Sequence, residues 1–527
     1  MSRFDRLALA LAVAVAALLR LPNLAERGRF DADQGHDMLT LVAFTRDGVI
    51  PLLGPKTSVG EFHHGAFYYF LLAPAAAVSN RDPVVVTGFI ALLGIGAVAL
   101  TWWLARSIAT RMTDARTGSL AGFLAGLMLA VSPAAIDEST FIWNPNPIAF
   151  FAMLSIGAAW RARTGGRPAW WAVAIGAAGA VTQLHVLGVV FLIAILALGL
   201  LELRRDRAIG FALLGGLGIV VLLFVPLLAH ELQNGFDETR GVLDYLRGDT
   251  GSLGGGPIGA LAITLLRVVG WPLVGLVTDI PQVVAILLAV TIGLVAWGLR
   301  LARGSEGVGY RWLVGLLAWS TLALAFAAPS LQVVVAGLPN DHYHAFVDPV
   351  VVILISIPAA SLLLGGLAAW RETNRPVAFA GTTLVGLVVA AILAIELART
   401  PPWVDPDGGW AKARDAGVRI VGVTGAAPVV LFGLPEFKLP DAIGFPIEHA
   451  GAQVRHLTDL AGFPSGTDVF AIACDRLFEQ VMERACAGPA EDALVATLPE
   501  VRAGTSHPRL VDRFDESPRT SVSVYAP

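Results

Sequence analysis

The feature that most constrains this chain is a series of apolar stretches, each near the length of a membrane span, separated by short turns that carry arginine. A helix crossing the hydrocarbon of a bilayer needs about 20 mostly apolar residues. Such stretches begin near residues 6, 84, 118, 145, 168, 186, 208, 281, 310, 346 and 376. The chain therefore reads as a polytopic α-helical membrane protein with about eleven spans. Composition agrees, since 55% of the 527 residues are hydrophobic and 15% charged, too apolar for an ordinary soluble domain. Residues 7–19 have the character of a signal-peptide core, but no small-residue cleavage site follows, which favours a retained anchor. A formal net charge of -4 and the lack of a basic arm argue against nucleic acid as a partner.

The arginines sort the turns by side. Lysine occurs only at 56, 412 and 438, so arginine supplies nearly all the cationic charge. Turns with Arg106, Arg111 and Arg116, with Arg161, Arg163 and Arg167, with Arg204, Arg205 and Arg207, with Arg300, Arg303 and Arg311, and with Arg371 and Arg375 each follow an even number of spans. That is the side of Arg3 and Arg6, and the positive-inside rule makes it cytoplasmic. Segments 63–79 and 258–277 would break this order if they crossed. The first is short and holds Pro74, and the second carries Arg267 and Trp271-Pro272. Both are expected to lie in or dip into the outer interface, with thirteen spans as the alternative count. Residues 1–400 then form a membrane domain with outer loops at 22–62 and 230–280, and residues 401–527 form a small extracytoplasmic α/β domain. In that tail "GGWAKARDAGVRIVGVTG" and "CDRLFEQVMERAC" read as helical, while "PVVLFGLP" and "DVFAIACD" read as strands. An exported tail favours a Cys474–Cys486 disulfide over two free thiols. Almost nothing remains on the cytoplasmic side, so function is expected on the outer face.

The first outer loop opens with "DADQGHD" (31–37), three aspartates and a histidine close to lipid, where charge is costly and tends to mark function. Asp33 is expected to cap a helix whose first turns carry Gln34, His36 and Asp37, with Asp33, His36 and Asp37 on one face. A carboxylate there can take a proton from a substrate while its neighbours hold it. A solvated helix start is the simpler reading of an acidic stretch alone. The same loop, however, continues with "GPKTSVGEFHHGAFYYF" (54–70), which adds Lys56, Glu61, His63, His64, Tyr68 and Tyr69. Converging polar and aromatic groups beside lipid suit a substrate with a polar head and a long apolar tail, and phosphate is the natural partner of Lys56. "FIWNPNP" (141–147) with Asn144, "TQLH" (182–185) and "PNDHYHAFVDP" (339–349) with His342, Tyr343 and His344 furnish other outer ends. Singly each is more often a cap or an interface anchor; jointly they ring one outward-facing cavity. "DAD" imitates a metal-binding DxD motif, but no βαβ unit surrounds it. His342 and His344 with His63 and His64 lack the helical spacing that would make a zinc site specific, so a divalent metal is left open.

These residues resemble a family. A first span, an outer loop opening on an aspartate motif, an interfacial "HGAFYYFLLAP" helix, many short spans and an exported tail are similar to the GT-C glycosyltransferases. The similarity is greatest to glycosyltransferase family thirty-nine, which includes the protein O-mannosyltransferases and to which the lipid A aminoarabinose transferases are related. It covers about the first 400 residues. It implies a GT-C fold and an inverting enzyme that moves a sugar from a polyprenyl-phosphate carrier to an acceptor hydroxyl on a glycan, lipid or protein. The place implied is the outer face of a bacterial cytoplasmic membrane. Asp33 would be the general base, with Asp31 in reserve; Gln34 stands where the family commonly has glutamate, which argues against assuming mannose as the sugar. Gln34, His36, Asp37, Lys56, His63, His64, Tyr68, Tyr69, Asn144, Arg267, His342, Tyr343 and His344 would bind substrate, with Lys56, Arg267, His342 and His344 facing the phosphate charge. The alternative is a polytopic transporter or lipid flippase with an outward-facing cavity, but its signs, ionisable residues within spans and paired repeats, are not evident.

Overall fold

A computed structural model describes all residues except 58–59, 248–255, 276–280, 333–340, 374–375, 426, 437, 439 and 457–468. The chain opens with α1 (Arg3–Arg20), the single turn α2 (Leu24–Arg27) and α3 (Ala32–Thr45). An antiparallel pair, β1 (Leu53–Lys56) and β2 (His63–Gly65), leads into α4 (Phe67–Val78). Then follow α5 (Pro83–Met112), α6 (Ala115–Val131), the short α7 (Pro133–Asp137), α8 (Ile148–Gly165), α9 (Trp170–Leu184), α10 (Gly188–Glu202) and α11 (Ala208–Asn234). The helices α12 (Asp237–Arg247) and α13 (Gly256–Val274) precede α14 (Pro281–Leu301), α15 (Val308–Ala327), α16 (Asp348–Thr373) and α17 (Pro376–Ala398). Every segment expected to span is helical, and among the described residues seven helices, α5, α11 and α13 to α17, are long and apolar enough to cross a membrane. The protein is a multi-pass membrane protein, because backbone in hydrocarbon must satisfy its own hydrogen bonds.

Polar contacts show which turns share an end of the bundle. Asp5, buried on α1, accepts two 2.8 Å bonds from Arg106 on α5 and one of 2.6 Å from Ser119 on α6. Arg111 lies 3.6 Å from Glu306, and Arg163 meets Glu202, which also takes Arg205 at 3.1 Å. Four of the five arginine-bearing turns thus gather at one end, as their spacing predicts; Arg375 of the fifth lies outside the described residues. At the other end Arg20, fully buried, donates to the carbonyls of Ala130 (2.7 Å) and Leu129 (3.0 Å), which the end of α6 leaves without intrahelical partners. Six helices, α6, α8, α9, α10, α11 and α14, lead from Arg111 to Glu306, so their meeting requires that α13 not be a seventh crossing. Indeed Arg267 in the middle of α13 binds Asp341 and Leu331, and Ser132 donates to the carbonyl of Pro272 near its end. These contacts bring Arg267 and Pro272 to the loops at the end that also carries Arg20, while the length and apolarity of α13 would permit a span.

The remaining chain is an α/β unit on that same end. Its mixed sheet has the order β4-β3-β5-β7-β6, formed by β3 (Val429–Leu434), β4 (Val454–His456), β5 (Val469–Asp475), β6 (Arg509–Asp515) and β7 (Thr520–Ala526). β3 pairs in parallel with β4 and β5, and β7 runs antiparallel to β5 and β6. Helices α18 (Gly409–Thr424) and α19 (Asp441–His449) cover one face through Ile420, Ile443 and Ile447. The other face carries α20 (Glu479–Met482), α21 (Pro489–Thr497) and α22 (Pro499–Arg502), with Cys486, Ala490 and Leu498 in its core. Here "CDRLFEQVMERAC" departs from the expected helix: it is the end of β5, a 3-10 turn at Arg476–Phe478 and the single turn α20. The Cys474–Cys486 disulfide, with Cα atoms 5.7 Å apart, closes this loop.

The unit is fastened to the first loop of the bundle. Phe30 packs on Trp410 and Phe445, with ring centroids 5.0 and 6.1 Å away. Asp405 donates to the carbonyl of Glu26 at 2.7 Å, Arg46 pairs with Glu448 at 2.7 Å, and Asn23 donates to the carbonyl of Trp403 at 2.7 Å. α3 and α19 approach so closely that a Cβ on Gly35 would sit 1.9 Å from the Asp441 carbonyl oxygen.

Candidate active site

The α3 helix is capped two residues before the expected position. Asp31, in extended conformation, is its N-cap: its carboxylate accepts the Asp33 N–H at 3.1 Å, while the Gln34 side chain accepts the Asp31 N–H at 3.0 Å. This reciprocal arrangement is a capping box, an acceptor residue followed three positions later by glutamine. The signal was present as Asp31 with Gln34. Gln34 is accordingly a structural residue, buried and donating to the carbonyl of Ile142 at 2.9 Å, and not part of a substrate surface. Asp31 spends one carboxylate oxygen on the cap and does not line the cavity that Asp33 lines, although desolvation by the surrounding protein and the neighbouring Asp33 raise its pKa to about 6. Asp33 is left in the first turn with its carboxylate free of hydrogen bonds and ion pairs among the described residues.

Asp33, His36 and Asp37 face one cavity of about 710 Å³. Its wall is drawn from several loops at this end: Lys56, His63 and His64 from the hairpin, Trp143 and Asn144 after α7, His185 after α9, His342 and Tyr343 before α16, and Lys438 and Phe478 from the α/β unit. Cavities of this size hold small ligands or the head of a larger one. A second cavity, of about 460 Å³, lies between α3 and the α/β unit, and His36 and Lys438 line both.

Charge in the larger cavity is arranged in pairs. Lys56 donates to Glu61 at 2.6 Å, His63 Nδ1 lies 2.7 Å from Glu238, and His36 Nδ1 lies 2.9 Å from Asp441. The Asp441 contact raises the His36 pKa above that of a free imidazole. Burial pushes His64 down to about 4, so this imidazole is neutral at neutral pH; it stacks on His185, 4.8 Å away, which burial also keeps neutral. His342 stands edge-on to Trp143, with centroids 4.4 Å apart. Asn144 donates to the carbonyl of Leu184 at 2.6 Å, tying the α7 turn to the end of α9.

Asp37 is held rather than free. Tyr69 Oη donates to it at 2.8 Å and Tyr68 Oη at 3.0 Å, all three being buried. Burial nevertheless pushes Asp37 up to about 7, and its tyrosine donors only partly oppose this. Tyr68 and Tyr69 therefore lie behind the wall as supports of Asp37. Asp33 remains exposed to the cavity, yet desolvation by the surrounding protein raises it above the ordinary carboxylate range, against the pull of Lys438, His36 and Arg29.

Two expected phosphate contacts are displaced. Arg267 is 2% exposed and makes a bidentate pair with Asp341 at 2.9 and 2.7 Å, while His344, fully buried, lies 3.2 Å from Asp341 and 2.7 Å from Asp348. Neither lines the cavity. A guanidinium drawn to a buried carboxylate this closely is a structural ion pair, because separating the two would leave both charges desolvated and uncompensated. The four histidines considered for zinc do not converge, since His344 is bound behind the wall and His63 is bound to Glu238. Among the described residues, the group close enough to hold a metal is His230, Asp237 and Glu238, whose ligand atoms lie within 4.8 Å of one another.

No protein-family model and no curated protein matches this sequence. Solved structures do. ArnT from Cupriavidus metallidurans bound to undecaprenyl phosphate aligns over 98% of this chain and 97% of its own, with TM-score 0.58 at 12% identity. Its apo state gives TM-score 0.59 at 14% identity over the same shares. The Archaeoglobus fulgidus oligosaccharyltransferase in the apo form aligns over 90% of this chain and 70% of its own, with TM-score 0.53 at 12% identity. The chain has the GT-C fold. At these identities the likeness is one of fold, and the GT-C arrangement accounts for why the loops and the α/β unit meet at one end. His185 and Trp143 lie within the "TQLH" and "FIWNPNP" stretches that the sequence placed around the cavity, whereas the sequence reading missed Lys438 and Asp441 as site residues. Lys438 could have been flagged by the rarity that singled out Lys56; Asp441 had no local signal.

Proposed function

We propose that this protein is an inverting glycosyltransferase that moves a sugar from a polyprenyl-phosphate carrier to an acceptor hydroxyl at the outer face of a bacterial cytoplasmic membrane. The observation that carries the proposal is Asp33, a carboxylate without a hydrogen-bond or ion-pair partner among the described residues and of raised pKa, on the wall of a cavity where several loops of that end meet the α/β unit. A general base works best with a pKa near the operating pH. Asp33 takes the proton of the acceptor hydroxyl, whose oxygen bonds to the anomeric carbon as the bond from that carbon to the phosphate oxygen breaks and its electron pair leaves with the phosphate. Attack from the face opposite the phosphate inverts the anomeric centre. The carrier class is supported by ArnT, which shares this fold and was solved with undecaprenyl phosphate. The acceptor, whether glycan, lipid or protein, would enter beside His36.

The test is release of polyprenyl phosphate by purified protein from synthetic polyprenyl-phosphate mannose, arabinose, galactose and glucose, with cell-envelope extract as acceptor. Release that falls about 100-fold or more in Asp33→Asn establishes the base, and the donor consumed names the sugar. Equal activity of Asp33→Asn, or consumption of none of the donors, refutes the proposal. An arm with EDTA decides whether a divalent ion at His230, Asp237 and Glu238 is required.

A further inference from the structure

A lipid-linked donor brings a phosphate into the cavity, and phosphate calls for a cation. Most cationic groups on the wall are spoken for: Lys56 by Glu61 at 2.6 Å, His36 by Asp441 at 2.9 Å and His63 by Glu238 at 2.7 Å. Arg267 and His344 are bound to aspartates behind the wall. Lys438 differs. Its nearest ion-pair partner, Asp475, is 3.8 Å away, beyond hydrogen-bond distance, and its ammonium rests over the Phe478 ring at 4.8 Å. It lines the cavity alongside Asp33, and of the charges acting on Asp33 its own is the strongest.

The backbone fixes where this ammonium goes. The Lys438 N–H donates to the Pro435 carbonyl at 2.8 Å, folding the turn after β3 back on itself. A Cβ on Gly433 would sit 1.8 Å from the Lys438 carbonyl oxygen, so the close return needs glycine there. The same unit is locked on α3 by the His36–Asp441 and Arg46–Glu448 pairs. Lys438 and Asp33, from opposite ends of the chain, therefore line one cavity.

We propose that Lys438 of the C-terminal α/β unit contacts the phosphate of the lipid-linked donor, so that this unit completes the substrate site of the membrane bundle. The proposal rests on the transferase reading above. It is tested with full-length protein in detergent, by equilibrium binding of farnesyl phosphate and of farnesol. Lys438→Ala should weaken farnesyl phosphate by about tenfold or more and leave farnesol unchanged, Lys438→Arg should stay near wild type, and Asp33→Asn should bind like wild type while failing to turn over. If Lys438→Ala binds farnesyl phosphate as wild type does, if it loses both ligands equally, or if it alters only the KM for acceptor, this inference is overturned while the transferase reading stands. If wild type does not prefer the phosphate to the alcohol, the donor reading falls and this inference with it.

Discussion

Replacing Gly35 with alanine sets two effects against each other. Glycine inside a helix costs about 1 kcal/mol relative to alanine, so α3 considered alone should gain from the change. The docked unit opposes this. The new Cβ would lie 1.9 Å from the Asp441 carbonyl oxygen and 2.4 Å from its carbonyl carbon, both backbone atoms that cannot rotate aside. Ordinary non-bonded contacts lie near 3.5 Å, so α19 has to retreat by about 1.5 Å. That displacement takes His36 Nδ1 and Asp441 Oδ2, now 2.9 Å apart, out of hydrogen-bond range. Overpacking of this kind costs about 1–3 kcal/mol. The lost pair adds about 1 kcal/mol, less than a fully buried charged hydrogen bond because His36 is half exposed. With the helical gain subtracted, docking weakens by about 2 kcal/mol, which is about a 30-fold rise in the opening constant of the α3–α19 contact. Hydrogen exchange followed by mass spectrometry on full-length protein in detergent reads this directly at 441–449. Exchange there that is unchanged or slower in Gly35→Ala would show that helix propensity wins and that the close approach does not hold the unit in place.

Two further outcomes follow from the charge arrangement. Arg267→Met leaves Asp341 buried without its bidentate partner and should destabilise the protein by about 3–5 kcal/mol; Arg267→Lys should not restore it, because an ammonium cannot reproduce the fork. A loss of folded yield without any specific change in donor KM is the expected reading, and a well-folded Arg267→Met with only a raised donor KM would return Arg267 to the phosphate site. The pH profile is the second. Asp33 must be ionised to act, and desolvation by the surrounding protein holds its pKa above the ordinary carboxylate range, so the acid limb of kcat/KM should lie above pH 4. Lys438 pulls that pKa down, so Lys438→Ala should move the limb to higher pH, and a limb that stays in place would mean the two groups do not sense each other.

Much of the bundle could be read from hydropathy and arginine spacing alone, for a physical reason: hydrocarbon admits only segments that bond their own backbone, so each apolar run of sufficient length is committed to helix before any packing is known. The strands "PVVLFGLP" and "DVFAIACD" and the placement of Asp33, His36 and Asp37 on one face followed similarly from local periodicity, whereas the hairpin of β1 and β2 was not read from it. In the string "DADQGHD" the expected cap is Asp33, whereas the observed cap is Asp31, the aspartate with glutamine three positions on. What local pattern could not decide was partnership. Arg267 and His344 look like phosphate ligands until Asp341 and Asp348 fold against them, since a buried cation takes the nearest carboxylate whatever its spacing in the chain. His36 meets Asp441 across 405 residues, and the cavity acquires Lys438 across a similar distance. Contacts of such separation carry no periodicity to read, because they arise where two independently folded surfaces happen to bury complementary groups, and that is settled only when the α/β unit closes on the bundle.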